Sequence, residues 1–337
     1  MAGTENFDYR AAEGRYAGGM EYRRCGRSGL KMSALTLGFW QNFGGIADFA
    51  TAKAMMEFAF DRGITCFDLA NNYGPPYGSA EETFGKLMDL SFRPYRDEIF
   101  VTTKAGYDMW AGPYGNWGSR KYLLSSLEQS LKRMRLDHVD LFYSHRFDPE
   151  TPLEETLQAL VDAVRQGKAV YAGISNYPVE AAKFAIGYMK SRDVPCLCYQ
   201  GRASLFDRRH LGAGGVLETM DANGVGFTAF SPLAEGLLTD RYLNGVPEGS
   251  RMYRGHHLTR DKLTPKTLAA IRALDAIARE RGQTLAAMAL SWVLKRKGVT
   301  SVIVGTSRVS QLEANLEAVV SPDFTAEEAE AIERAIG

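Results

Sequence analysis

EIFVTTK (98–104), SRKYLLSSLEQSLKRMR (119–135), VDLFYSH (139–145), PLEETLQALVDAVRQGK (152–168) and AVYAGIS (169–175) follow one another through the middle of the chain, and their alternation decides the fold. The short members are β-branched and aromatic and read as strands. The long members repeat apolar residues every three or four positions and read as amphipathic helices. Ser119 suits an N-cap and Pro152 a first helical turn. Strand, crossover helix and strand in succession make βαβ units and a parallel sheet.

Outward from this block, LTLGF (35–39) and ITCFD (64–68) precede it, and CLCYQ (196–200), VGFTAF (225–230) and SVIVG (301–305) follow. That makes eight candidate strands, with helical stretches such as TAKAMMEFAFDRG (51–63) between them. The count predicts an α/β fold of the (β/α)8 TIM-barrel type, a single domain over residues 20–337, for which 337 residues is an ordinary length. MEYRRCGRSGLKMS (20–33) places Gly26 and Gly29 between two short runs and predicts an N-terminal β-hairpin that plugs the barrel bottom. Residues 1–19 read as a flexible arm. The long stretch from Leu233 to Pro265 reads as a functional loop, a lid, after the seventh barrel strand.

Forty basic residues balance forty acidic ones, so no global field draws nucleic acid or an anionic membrane surface. The chain has no apolar run of 18 residues and its N-terminus has no secretory stretch, which predicts a cytoplasmic protein. Four scattered cysteines fit a reducing compartment; Cys196 and Cys198, one residue apart on a strand, are expected to face the same side as buried structural residues. His256 and His257 have no Cys or carboxylate at ligand spacing, so no metal site is expected.

A barrel gathers its chemistry at the C-terminal strand ends. The second candidate strand ends in Asp68, the third in Lys104 and the fourth in His145, with Tyr73 five residues past Asp68. This set suits carbonyl reduction. The developing alkoxide needs a proton from a donor that is neutral at pH 7. A lysine ammonium beside the phenol would lower its pKa, Asp68 would fix that lysine, and His145 would orient the carbonyl oxygen. Each residue has a bland alternative when taken alone: a cap, a packing residue, a solvated cation, a core histidine. Their joint placement at successive strand ends favours chemistry. Trp110, Tyr114 and Trp117, in a Gly-rich loop, are read as shaping a substrate pocket, and Met55, Met56, Phe58 and Phe60 as core.

FDLANNYG (67–74), VTTKAG (101–106), VDLFYSHR (139–146), GISNY (173–177), FSPLAEGLLT (230–239) and VIVGTSRVSQLEAN (302–315) occur in an order that resembles the aldo-keto reductases from about Met20 onward. NNYGPPYGSAEETFGKLM (71–88) and the 106–124 loop are closest to bacterial L-glyceraldehyde 3-phosphate reductases, relatives of potassium-channel β subunits. The resemblance puts Asp68, Tyr73, Lys104 and His145 on the catalytic positions and implies NADPH as cofactor, in keeping with the lack of any G-x-G-x-x-G. It implies that Ser175, Asn176 and Gln200 hold the nicotinamide carboxamide and that Phe230 stacks on its ring. Ser231, Leu233 and Gly236 would line the pyrophosphate. Gly305, Ser307 and Arg308 would take the 2′-phosphate, with Gln311 and Asn315 near the adenosine. Position 230 is Phe where Tyr is frequent, position 314 is Ala where Glu is usual, and GRASLF follows Gln200 where relatives carry an aromatic and Asn.

The implied substrates are small carbonyl compounds, L-glyceraldehyde 3-phosphate and methylglyoxal. Arg120, Lys121, Arg202, Arg254 and His256 stand as candidates for a substrate phosphate. The channel-subunit branch implies homo-oligomers, tetramers or octamers, and offers the rival reading of an NADPH-sensing regulatory subunit of a membrane channel or other partner. A Schiff-base lyase built on Lys104 is disfavoured by Asp68, which keeps the ammonium charged.

Overall fold

The computed structural model describes residues 7–248, 250–254 and 258–337. An antiparallel hairpin, β1 (Tyr22–Arg24) with β2 (Lys31–Ser33), precedes eight parallel strands: β3 (Leu35–Gly38), β4 (Cys66–Asp68), β5 (Phe100–Ala105), β6 (Val139–Ser144), β7 (Ala169–Ser175), β8 (Cys196–Arg202), β9 (Gly226–Phe230) and β10 (Val299–Val304). The strands pair in sequence order, and β10 closes on β3 through Val302↔Leu35, Ile303↔Thr36 and Val304↔Leu37, giving the (β/α)8 barrel. The crossovers carry α1 (Phe49–Asp61), α2 (Ser79–Leu87), α3 (Arg120–Met134), α4 (Leu153–Arg165), α5 (Val179–Lys190) and α6 (Val216–Asn223). After β9 come α7 (Arg251–Arg254), α8 (Pro265–Glu280) and α9 (Leu285–Leu294), and after β10 come α10 (Val309–Leu316) and α11 (Ala326–Ile336). No described helix is long and apolar enough to cross a membrane.

All eight expected strands are present, with small shifts at their ends. The last begins at Val299 because Val299 and Thr300 are buried, and the Thr300 hydroxyl accepts from the Phe227 N–H (3.3 Å). Gly305 lies outside the ladder, exposed. Ser119 caps α3 as expected, its hydroxyl accepting from the Tyr122 N–H, and Pro152 stands at the N-cap of α4.

The hairpin seals one end of the barrel. Cys25 and Met32 join Cys66, Phe100, Leu141, Tyr143 and Cys198 in a buried cluster inside the sheet, separate from the main core between sheet and helices. Gly26, in the hairpin turn at φ +55°, comes so close to Gly224 that a β-carbon would sit 2.1 Å from its carbonyl oxygen. Only glycine fits there.

Cys196 and Cys198 do not face the same side. Ala172 pairs with Cys196 and the next residue, Gly173, with Cys198, so β8 carries one extra residue there. The bulge breaks the two-residue alternation. Cys198 points into the barrel while Cys196 joins the outer core. Both are free thiols.

Residues 7–19 are anchored rather than arm-like; residues 1–6 lie outside the described residues. The Tyr9 hydroxyl donates to Asp61 Oδ1 (2.6 Å), its ring packs on Phe92 and Tyr95 (centroids 5.3 and 6.0 Å), and the Ala12 N–H donates to the same Asp61 oxygen (2.8 Å). Polarity hid this, because the anchors are scattered polar contacts: Tyr9 on Asp61, and Arg15 and Tyr16 on Glu98. The loop after β9 is present and tied down through buried Leu238, Tyr242, Met252 and Leu258. Replacing Tyr9 with Ala should remove about 3 kcal/mol of stability, read as a lowered urea midpoint. An unchanged midpoint would mean the segment is a free arm after all.

Candidate active site

Alternation along each strand sends every second side chain into the barrel. On β5 these are Phe100, Thr102 and Lys104; on β6, Leu141 and Tyr143, with His145 one step beyond the strand. Apolar residues therefore fill the hairpin end of the barrel and ionisable ones rise at the opposite mouth.

Lys104 is fully buried, and its ammonium donates to Asp68 Oδ2 (2.7 Å), to the Leu69 carbonyl (2.6 Å) and, at a long 3.5 Å, to the Tyr73 hydroxyl oxygen. Three donors meet three acceptors. Asp68 Oδ1 in turn accepts from the Thr102 hydroxyl (2.7 Å) and the Gln200 amide (2.9 Å). His145 stands edge-on to Tyr73 (centroids 6.0 Å, 70°) and to Tyr107 (4.7 Å, 85°). Its Nδ1 is buried without a hydrogen-bond partner.

Burial pulls the Lys104 pKa down against the opposing pull of Asp68. It also drives His145 well below the usual imidazole value, with the Lys104 and Arg146 charges adding to the effect. Tyr73 departs from expectation: its pKa is raised well above 10, through burial first and then through Asp68 and Tyr107. Lys104 does not lower it because that ammonium is neutralised by Asp68 at 2.7 Å, nearer than the phenol. At pH 7 the mouth thus presents a neutral phenol and a neutral imidazole above a buried ion pair.

The other predicted residues fall into three groups. Ser175 and Asn176 end β7; Asn176, left-handed at φ 57°, donates to the His145 carbonyl (3.1 Å) and to Ser175 Oγ (3.0 Å), and its N–H donates to the carbonyl of Gln200, whose amide reaches Asp68. Phe230 ends β9 and leads into a loop where Ser231, Ala234, Glu235 and Gly236 all have positive φ, with Leu233 among them. Such strain in non-glycine residues is retained where a site needs the shape. At the β10–α10 corner, Gly305 is open, with nothing within 4 Å of a would-be β-carbon. Ser307 donates to Gln311 Oε1 through its N–H (3.1 Å) and hydroxyl (3.0 Å), and Asn315 is buried. Arg308, at the N-cap of α10, is exposed and makes no ion pair among the described residues, and no side chain caps the helix. Free helical N–H groups, an open glycine, a serine and an unpaired arginine are a donor set that fits a phosphate.

Arg120 is engaged with Asp162, Arg202 with Glu235 (3.1 Å), and Lys121 lies over the Tyr114 ring (5.3 Å). Trp110 packs on Tyr122 (5.1 Å). The side chain of Arg254, with His256 and His257, lies outside the described residues; no group of three or more potential metal-ligating residues occurs among those described. A groove of about 450 Å³ lined by Phe49, Thr83, Lys86 and Leu90 shares no residue with the mouth. The sequence reading missed Thr102, Tyr107 and Arg146. Thr102 was detectable as the inward neighbour of Lys104, and Arg146 as the residue following His145.

The family model of the aldo/keto reductase family matches residues 34–336. The chain is 52% identical over 323 residues to an L-glyceraldehyde 3-phosphate reductase of Escherichia coli O157:H7, covering 95% of this chain and 93% of that protein. With the protein of the same name from strain K12 the identity is 51% over the same span. With a probable voltage-gated potassium channel subunit beta of Arabidopsis thaliana it is 36% over 307 residues, 89% of this chain and 91% of the other.

The Asp68–Lys104 pair should behave as one unit in stability. Lys104→Met leaves a buried carboxylate uncompensated and should cost about 3–5 kcal/mol. Adding Asp68→Leu should restore much of that loss. Single-variant losses that simply add in the double variant, measured by urea denaturation, would show that the two do not depend on each other.

Proposed function

This chain belongs to the aldo/keto reductase family and is an oxidoreductase, and we propose that it works in the cytoplasm as an NADPH-dependent reductase of small aldehydes and ketones, L-glyceraldehyde 3-phosphate foremost and methylglyoxal also. One observation carries the mechanism: Lys104 donates to the Tyr73 oxygen, which leaves the phenolic proton free to point at a substrate. NADPH, when bound, supplies the hydride equivalent that reduces the carbonyl carbon.

Tyr73 gives its proton to the carbonyl oxygen as negative charge develops there. The phenolate left behind is the one anion placed to use the Lys104 ammonium beyond Asp68. His145 is neutral, and a proton on the partnerless Nδ1 would be a buried donor without an acceptor. The tautomer with the proton on Nε2 is therefore favoured, and that N–H can hydrogen-bond the carbonyl oxygen. Ser175, Asn176 and Gln200 would hold the carboxamide, Phe230 would stack on the nicotinamide, and Ser231, Leu233 and Gly236 would line the pyrophosphate. Gly305, Ser307 and Arg308 would hold the 2′-phosphate, with Gln311 and Asn315 at the adenosine.

Tyr73→Phe should lower kcat for L-glyceraldehyde 3-phosphate by about two orders of magnitude or more while NADPH still binds. In the unaltered protein kcat/KM should stay flat from about pH 6.5 to about pH 9, because the imidazole has lost its proton below that window and the phenol keeps its own above it. A limb with a midpoint near neutrality would contradict these assignments. NADPH binding with no turnover of any small carbonyl would favour the regulatory-subunit reading instead. Arg308→Ala should weaken NADPH binding about tenfold or more and leave NADH binding nearly as it was, by fluorescence titration; equal losses would move the 2′-phosphate elsewhere.

A further inference from the structure

Arg146 follows His145 and its side chain stays at the barrel mouth. Nε donates to the Gly106 carbonyl (2.8 Å) and Nη2 to Asn116 Oδ1 (2.8 Å). The guanidinium carbon lies 3.5 Å from the Trp117 ring centroid and 4.3 Å from that of Tyr107. The Tyr107 ring is the one set edge-on to His145, so a single aromatic ring separates the guanidinium from the imidazole.

Arg146 forms no ion pair among the described residues, and Asp108 reaches it only through Asn116, whose amide donates to that carboxylate. Of the five guanidinium N–H groups two are used, leaving both on Nη1 and one on Nη2, enough for paired bonds to two phosphate oxygens. Lys104 is neutralised by Asp68, and Arg202, at the end of β8, pairs with Glu235, whereas Arg146 keeps an uncompensated charge among the described residues.

The surrounding loop holds the group in place. The Trp117 N–H donates to the Gly106 carbonyl (3.3 Å) and to Asn116 Oδ1 (2.7 Å), and Trp117 sits at φ 70°, a conformation an aromatic residue rarely adopts. Tyr122 donates to the Tyr107 carbonyl and holds the backbone that carries the other ring. A flat, half-buried guanidinium clamped between two rings has little rotamer freedom left to lose on binding.

We propose that Arg146 is the subsite for the phosphate of a phosphorylated small-carbonyl substrate and sets the preference for it over the unphosphorylated compound. The proposal rests on the reading of the chain as a reductase of L-glyceraldehyde 3-phosphate. In that molecule two carbons and an ester oxygen separate the reducible carbon from phosphorus, a span that suits a cation one ring beyond His145.

The test compares L-glyceraldehyde 3-phosphate with L-glyceraldehyde at saturating NADPH, and measures glycerol 3-phosphate as an inhibitor of methylglyoxal reduction. Arg146→Gln should raise KM for the phosphorylated substrate about tenfold or more beyond any change for L-glyceraldehyde, and should raise the glycerol 3-phosphate inhibition constant to match. Arg146→Lys, which keeps the charge and loses the paired donors, should fall between. It supplies the same comparison should Arg146→Gln fail to bind NADPH. Equal changes for both substrates, or an unaltered inhibition constant, would overturn the subsite. If the unaltered enzyme does not reduce the phosphorylated triose, the substrate reading fails, while the inhibition constant still decides whether Arg146 holds a phosphate.

Discussion

A lysine ammonium with no exposure to solvent, held 2.7 Å from an equally buried carboxylate, is the constraint on which the mouth of this barrel depends. Neither charge is tolerable alone at that depth. Asp68 comes from the end of β4 and Lys104 from β5, so the pair exists only when these two strands are in register, as they are at Asp68↔Thr102. Thr102 and Gln200 then satisfy the second carboxylate oxygen, and through Gln200 the constraint extends from β4 across the barrel interior to β8. Strand register, barrel closure and the position of one phenol are in this way a single problem with a single solution.

That dependence explains what could be read from the chain. Strand number and barrel class follow from two periodicities, and Asp68, Lys104 and His145 from the rule that parallel strands end on one side, while Tyr73 is placed by its loop after Asp68 and by the family resemblance. The strand pattern is local and repeated eight times, so an error at one strand is outvoted by the others. What escaped was non-repeating. The bulge that turns Cys196 away from Cys198 comes from a register shift between β7 and β8, which neither strand displays by itself. Tyr9 anchors a polar segment with one ring and one hydroxyl, below the threshold of any pattern. The upward shift of the Tyr73 pKa comes from burial first and then from Asp68 and Tyr107, and residue types carry neither burial nor distances.

The direction of that shift alters what Lys104 is for. A lysine that pre-ionised the phenol would weaken it as a donor in the resting enzyme. Here the ammonium is already matched by Asp68, so in the proposed reaction Tyr73 would keep its proton until negative charge appears on the substrate oxygen. The stabilisation of the phenolate then arrives only as the proton leaves. His145, kept neutral by burial and by two neighbouring cations, fits the same proposal, in which it would donate a hydrogen bond without adding charge to the resting site.

The two ends of the barrel divide the work between stability and chemistry. The hairpin end is filled by Cys25, Met32, Phe100, Leu141 and Tyr143, with a glycine turn pressed against Gly224. The inward-facing cluster at that end contains no charged residue. Because it is well packed, the other end can carry features that would destabilise a less secure fold: a buried ion pair, a partnerless imidazole nitrogen, left-handed residues after β9 and at Trp117, and a guanidinium without an anion. Each of these is unfavourable in the protein alone and becomes favourable only when something else is present. An unpaired Arg308 at an open helix start calls for one anion, and an unpaired Arg146 beyond His145 calls for another. Arg146 follows β6 and Arg308 follows β10, so the two proposed anion positions stand after different strands of the barrel.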